Sequence, residues 1–306
     1  MPNLISTKDL KKGEVERILD LAETLEKNYK KGKIEKLLAD KIIACIFFEP
    51  STRTRLSFES AAKRLGAQVI STENAESNSS AFKGESIEDT ARMLSIYADA
   101  IVMRHREGGA ARRAAAVSNK PVVNAGDGAN EHPTQALQDV YTIKRELGRL
   151  SDLNIAYVGD LLYSRPLHSI MPLFSREQNN NFYFVSPKEL ALPEDFKNEL
   201  KEKGIDFEEK NSLEEILPEV DVLYVTRVQK ERFPDLKQYE KVKDAFILRS
   251  EHLKALKKEA IIMHALPRVN EIETAIDTDP RAVYFRQAEN GLYVRMALLL
   301  WCLQIK

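Results

Sequence analysis

Short runs of apolar residues, four to seven long and rich in Val, Ile and Phe, recur along this chain with longer periodic segments between them. Ile42–Phe48 is the clearest run and reads as a buried strand. Ala67–Ile70, Ala100–Met103, Pro121–Asn124, Asn154–Val158, Asn181–Val185, Asp221–Thr226 and Ala260–His264 follow it. The stretch Leu56, Phe58, Ala61, Ala62 and Leu65 has helical spacing and stops at Gly66. Near the N-terminus, Val15, Ile18, Leu19, Ala22 and Leu25 share one helical face. Continuous rather than alternating strand runs, separated by helices, specify an α/β chain with parallel sheets covered on both faces.

At roughly 100–200 residues per domain, 306 residues predict two similar domains, each a mainly parallel sheet flanked by helices, joined by long helices. Residues 133–149 read as the linking helix, ending at Gly148. The expected division is a first domain at 1–132, a second at 150–285, and a C-terminal helix at 286–306 packing back on the first. A net charge of -1 from 46 basic and 47 acidic residues gives no basic excess, so no nucleic-acid partner is expected. No run approaches the ~18 apolar residues of a membrane span, and the N-terminus lacks a signal peptide's regions. No membrane partner and a cytoplasmic location are the expectation. Cys45 and Cys302 sit far apart in apolar runs and read as core thiols, and none of the five histidines has metal-ligand spacing to another; no metal and no cofactor is expected.

Ligands of open α/β sheets bind beyond the carboxyl ends of the strands. Ser51-Thr52-Arg53-Thr54-Arg55 follows the first strand, Arg104 the third, and Gly126-Asp127-Gly128 with His132-Pro133-Thr134-Gln135 the fourth. Later strands are followed by Arg165, by Arg227 with Gln229, and by His264-Ala265-Leu266-Pro267-Arg268. Arginine after so many strand ends is poorly explained by scattered surface charge. Ser51–Arg55 opens a helix, where unpaired backbone N–H groups and the helix dipole favour an anion. Arginines oppose that dipole unless an anion is bound. Glycine is sparse there, and Gly126–Gly128 lacks the third glycine of a dinucleotide fingerprint. A phosphate of a small substrate fits better than a nucleotide. Pro133 keeps His132 out of the helical region, so His132 should project ahead of its helix with Gln135 one turn on.

Several motifs together resemble the aspartate transcarbamoylase catalytic chain, in the family's order and over essentially the whole length. They are Phe47-Phe48-Glu49-Pro50 running into Ser51–Arg55, Lys83-Gly84-Glu85-Ser86, Ile101–His105, Asn124–Gly128, His132–Gln135, Val158–Leu161, Thr226–Arg232 and Leu266-Pro267-Arg268. The resemblance implies that carbamoyl phosphate donates its carbamoyl group to the α-amino group of L-aspartate. The products would be N-carbamoyl-L-aspartate and phosphate, in pyrimidine synthesis. By the same resemblance Ser51, Thr52, Arg53 and Thr54 hold the phosphate, and Thr54, Arg104 and His132 face the carbamoyl oxygen. Gln135 and the backbone of Leu266 and Pro267 meet the carbamoyl nitrogen. Arg165, Arg227 and Gln229 match the aspartate site. Ser79 and Lys83 match residues reaching in from a neighbouring subunit of a homotrimer with shared sites. Arg55 falls outside the contacts and reads as support for the loop. A separate regulatory chain is left open.

The chain departs from the family at Leu162, Ser164 and Pro166 around Arg165. Ala265 stands where ornithine transcarbamoylases typically carry Cys, and the basic second site favours a dicarboxylic acid over ornithine.

Overall fold

A computed structural model of the chain describes all residues except 76–82, 129, 231, 232, 234 and 306. It divides into two compact units, Met1–Tyr141 with Glu289–Lys306, and Thr142–Ala288. Both boundaries fall inside helices, Pro133–Leu147 and Tyr284–Leu303.

In the first unit the strands are β1 (Ile42–Phe47), β2 (Gln68–Glu73), β3 (Ala100–His105) and β4 (Val122–Asp127), ordered β2-β1-β3-β4 and all parallel. Its helices are α1 (Lys12–Lys30), α2 (Thr52–Arg64), α3 (Ile87–Tyr97), α4 (Ala110–Val117) and the start of α5 (Pro133–Leu147). β1, β3 and β4 are almost wholly buried, as strands covered on both faces must be. Ile46, Phe48, Ile101 and Met103 pack with Ile87 and Ala91 of α3 and Ala110 and Ala114 of α4.

The second unit carries β5 (Asn154–Val158), β6 (Asn181–Val185), β7 (Phe207–Lys210), β8 (Val222–Val225) and β9 (Ile261–His264), ordered β7-β6-β5-β8-β9 and again all parallel. Its helices are α6 (Arg165–Phe174), α7 (Glu194–Glu202) and α8 (Leu236–Val242), with α9 (Tyr284–Leu303) crossing back. Ala156, Val158, Leu223, Val225 and Ile262 meet Ile216, Leu217 and Ile276 in its core. No helix among the described residues is long and apolar enough to cross a membrane.

Two sequence expectations are corrected. Leu56 does not lie on the buried face of α2; it is 49% exposed while Phe58, Ala61, Ala62 and Leu65 are buried. Those four keep the i, i+3, i+4, i+7 spacing of one helical face, and Leu56, two residues before Phe58, lies off it. The edge strand β7 carries no apolar run, only Phe-Glu-Glu-Lys. It is held by backbone pairing to β6, which side-chain pattern does not report. Cys45 in β1 and Cys302 in α9 are both buried. Burial pushes the Cys45 thiol up to about 12 and raises that of Cys302 as well.

Candidate active site

In each sheet the chain leaves its first strand towards one edge and later returns to the other side of it. The reversal lies between β1 and β3 in the first unit and between β5 and β8 in the second. Such points open a crevice at the strands' carboxyl ends; Arg104 lies near the end of β3, and the chain after β1, β5 and β8 carries Ser51–Thr54, Arg165, and Arg227 with Gln229.

In the first unit Phe47 of β1 is in register with Arg104 of β3, and the Phe48 amide donates to the Arg104 carbonyl at 2.9 Å. Ser51 occupies the N-cap position of α2, but its side chain makes no capping bond. Its own N–H donates instead to Glu73 Oε1 at 3.1 Å. The first turn of α2 has no acidic residue; Thr52 and Arg53 are exposed and Thr54 is buried. The hydroxyl that ordinarily occupies first-turn amides therefore makes no bond to them, at a helix end suited to an anion. Arg55 points elsewhere. Its guanidinium donates to Glu59 Oε1 at 2.8 Å and pairs with Glu73 Oε2 at 3.2 Å, bracing α2 against the end of β2. That fits a supporting role.

Arg104 is 8% exposed, with Nη2 donating to Glu49 Oε1 at 2.5 Å. Its Nη1 lies 3.5 Å from His132 Nε2, and His132 Nδ1 lies 3.4 Å from the Thr134 hydroxyl. His132 precedes α5, and its carbonyl accepts from the amides of Gln135 and Ala136, at 3.0 and 3.1 Å. The room for this pair comes from Gly126, at φ +118°, where a Cβ would stand 3.3 Å from Arg104 Nη1 and 3.5 Å from His132 Cδ2. Gln135 Nε2 donates to Asp139 Oδ1 at 2.7 Å. Lys83 is exposed, shortly before α3. Ser79 lies outside the described residues.

In the second unit Arg165 is the first residue of α6, with Pro166 next. A proline there forfeits nothing, because first-turn N–H groups have no intrahelical partner. Asp160, fully buried after β5, accepts from the amides of Tyr163 at 2.9 Å and Gln229 at 3.3 Å. The Gln229 side chain returns to the Tyr163 carbonyl at 3.0 Å. Thr226 Oγ1 donates to the carbonyl of Val158 at 2.8 Å, and the Asp160 carbonyl lies 3.2 Å away. One buried carboxylate thus ties the loop carrying Arg165 to the loop carrying Arg227 and Gln229.

After β9 the Leu266–Pro267 bond is cis and Leu266 has φ +54°. His264, 3% exposed, accepts the Leu266 amide on Nδ1 at 2.8 Å and meets Glu271 Oε1 through Nε2 at 2.8 Å. Glu271 Oε2 accepts from the amides of Val269 and Asn270, at 3.0 and 3.1 Å. Burial acts to raise the Glu271 carboxyl. The hydrogen bonds from His264 and from the loop backbone outweigh it, so the group is held below its usual value.

Glu49, Asp139, Asp160, His264 and Glu271 carry no site role in the sequence reading. Asp139 stands one turn beyond Gln135, a spacing that could have pointed to it. Glu49, Asp160 and His264 stand inside segments singled out in the sequence, which could have pointed to them; Glu271 stands in none.

Residues 2–145 match the aspartate/ornithine carbamoyltransferase carbamoyl-P binding domain, and residues 151–302 match the Asp/Orn binding domain of the same family. The aspartate carbamoyltransferase catalytic subunit of Methanocaldococcus jannaschii is 52% identical over 299 residues, covering 98% of this chain and 97% of that protein. A crystal structure of the catalytic subunit of M. jannaschii aspartate transcarbamoylase superposes with a TM-score of 0.91, covering 98% of this chain and 97% of the other. The Trypanosoma cruzi aspartate transcarbamoylase in complex with carbamoyl phosphate and aspartate superposes with a TM-score of 0.91 at 36% identity, covering 98% and 96%. With both family domains matched and half its residues shared along almost its whole length, this chain belongs to the aspartate/ornithine carbamoyltransferase family.

Proposed function

We propose that this chain transfers the carbamoyl group of carbamoyl phosphate to the α-amino group of L-aspartate, releasing N-carbamoyl-L-aspartate and phosphate, an early step of pyrimidine synthesis. The carrying observation is the run of arginines in or after the strands at both sheet reversals, together with a helix start whose own serine does not cap it.

In this reading the first domain (1–132) binds carbamoyl phosphate and the second (150–285) binds aspartate. Ser51, Thr52, Arg53 and Thr54 hold the phosphate at the start of α2. Thr54, Arg104 and His132 face the carbamoyl oxygen, and Gln135 with the Leu266 and Pro267 carbonyls receives the carbamoyl NH2. Arg165, Arg227 and Gln229 hold the aspartate carboxylates. Two mutually repelling anions must be brought together, and one opposite unit charge at 4 Å offsets roughly 4 kcal/mol at an effective dielectric near 20. The amine attacks the carbonyl carbon and negative charge builds on its oxygen. Arg104, His132 and Thr54 stabilise that oxyanion. The bond to the bridging phosphate oxygen then breaks, and the departing phosphate takes the proton the amine must lose. Orientation and preorganised charge carry the rate.

A homotrimer with shared sites belongs to the same reading, with Ser79 and Lys83 supplied by a neighbouring subunit, as does a cytoplasmic location. The exposure of Lys83 is consistent with service to another subunit. Assaying purified protein with carbamoyl phosphate plus either amino acid tests the reading. Turnover with aspartate is expected; turnover with ornithine alone would overturn it.

A further inference from the structure

Asp139 takes no part in the chemistry above, yet it is a carboxylate with 0% exposure in the first unit. Burying a charge is costly unless neighbours compensate, and two do. Gln135, one turn earlier on α5, donates Nε2 to Asp139 Oδ1 at 2.7 Å. Arg295 of α9, itself 4% exposed, is attracted to it. Burial pushes the Arg295 guanidinium down to about 10 against that attraction. Arg295 is further fixed by a 3.0 Å bond to Gln138 Oε1 and by lying 5.4 Å from the centre of the Phe58 ring of α2. Space for it is kept by Gly291, where a Cβ would fall 2.2 Å from Arg295 Nη1 and 2.3 Å from Gln138 Oε1.

The consequence concerns the two ends of the Gln135 amide. One end donates and the other accepts, and the shape of the group hardly distinguishes them. A carboxylate has no proton to give, so Asp139 can hold only the NH2 end. We infer that Asp139 fixes the amide of Gln135 with Oε1 turned to the substrate, making it a positioning residue that selects a carbamoyl NH2 over a group of the same shape without N–H donors. The inference rests on the proposed contact between Gln135 and the carbamoyl nitrogen. With Asp139 replaced by Asn, either end of Gln135 could be held. The amide could then present its own NH2 to the substrate's, leaving two donors face to face.

Equilibrium binding to the full-length protein of phosphonoacetamide and acetonylphosphonate, which differ only in NH2 against CH3, tests this. The wild-type chain should prefer the amide, and Gln135→Ala should cut the preference by roughly 10-fold, the Leu266 and Pro267 carbonyls accounting for what is left. A Gln135→Ala chain with the full wild-type preference overturns the underlying contact. Given that contact, Asp139→Asn should weaken phosphonoacetamide by about three- to tenfold, because a Gln135 amide turned the wrong way must be reversed before the ligand binds, and leave acetonylphosphonate unchanged. An Asp139→Asn chain that keeps the preference, or weakens both ligands in parallel, overturns the inference. Should Asp139→Asn fail to fold, Asp139→Ser has a hydroxyl that gives or accepts, and carries the same expectations.

Discussion

His264 and Glu271 form a buried pair, with Nε2 2.8 Å from Oε1, and between them they hold the backbone from Leu266 to Asn270. The carboxylate accepts on both oxygens at once. Glutamine has one acceptor end and one donor end, so Glu271→Gln must place an NH2 against His264 or against two backbone amides. It should lower stability by about 1–3 kcal/mol in denaturant unfolding and weaken carbamoyl phosphate binding through the loosened Leu266–Pro267 segment. The deficit should also depend on pH. The folded-state carboxyl lies below the ordinary value of 4.5, so its stabilisation is complete above that value and is lost as pH falls through the folded-state value. Wild type and Glu271→Gln should therefore converge in acid and differ fully at neutral pH.

Arg53 and Arg104 should fail in different ways. Each substitution to Ala should lower kcat/KM by about 10²–10³ or more, the usual cost of removing one donor from a developing oxyanion or its leaving group. Arg53 is exposed, so Arg53→Ala should keep its melting temperature within a few degrees, while Arg104→Ala removes the partner of Glu49 in a buried setting and should melt earlier. Steady-state kinetics with a thermal melt separates the two. Unchanged turnover in Arg53→Ala would place the phosphate elsewhere, and unchanged turnover in Arg104→Ala would place the carbamoyl oxygen elsewhere.

Sharing of sites between subunits predicts complementation. Lys83→Gln chains and Arg53→Ala chains should each be inactive alone. In every mixed trimer about a third of the sites, one of the three, would draw both residues from intact chains, and activity should return towards that fraction. Verified mixed trimers that stay inactive would confine Lys83 to its own chain.

Gly159 closes β5 at φ +112°, and a Cβ there would fall 2.4 Å from the Thr226 carbonyl oxygen. Gly159→Ala must push apart the loops bearing Arg165 and Arg227. A loss of at least ~1 kcal/mol is expected from the backbone conformation alone. KM for aspartate should rise while binding of carbamoyl phosphate stays near wild type. Equal losses for both substrates would point to general unfolding instead.

How much of this was legible depends on where each residue gets its partners. β5 and β6 match the sequence reading to the residue, because strands buried on both faces spell themselves out in apolar side chains. β2 runs on to Glu73 and β7 was missed, because these two edge strands are largely exposed and polar and are held by backbone bonds that leave no apolar mark. The arginines beyond the strand ends were readable because charge at those points has few structural excuses. Arg295 and Gln138 lie 157 residues apart. Nothing short of the folded chain announces that pairing, nor the turning of the Ser51 amide to Glu73.

The two buried cysteines have a practical use. Thiolate is the reactive form of cysteine, and neither Cys45 nor Cys302 offers much of it or any ready path to a reagent. The chain is in effect a silent background for thiol chemistry. A single cysteine placed at an exposed position outside the proposed site, such as Lys258, should take a spectroscopic label selectively with both native thiols left in place. Label-to-label distances would then test the proposed trimer on a protein that keeps both native cysteines.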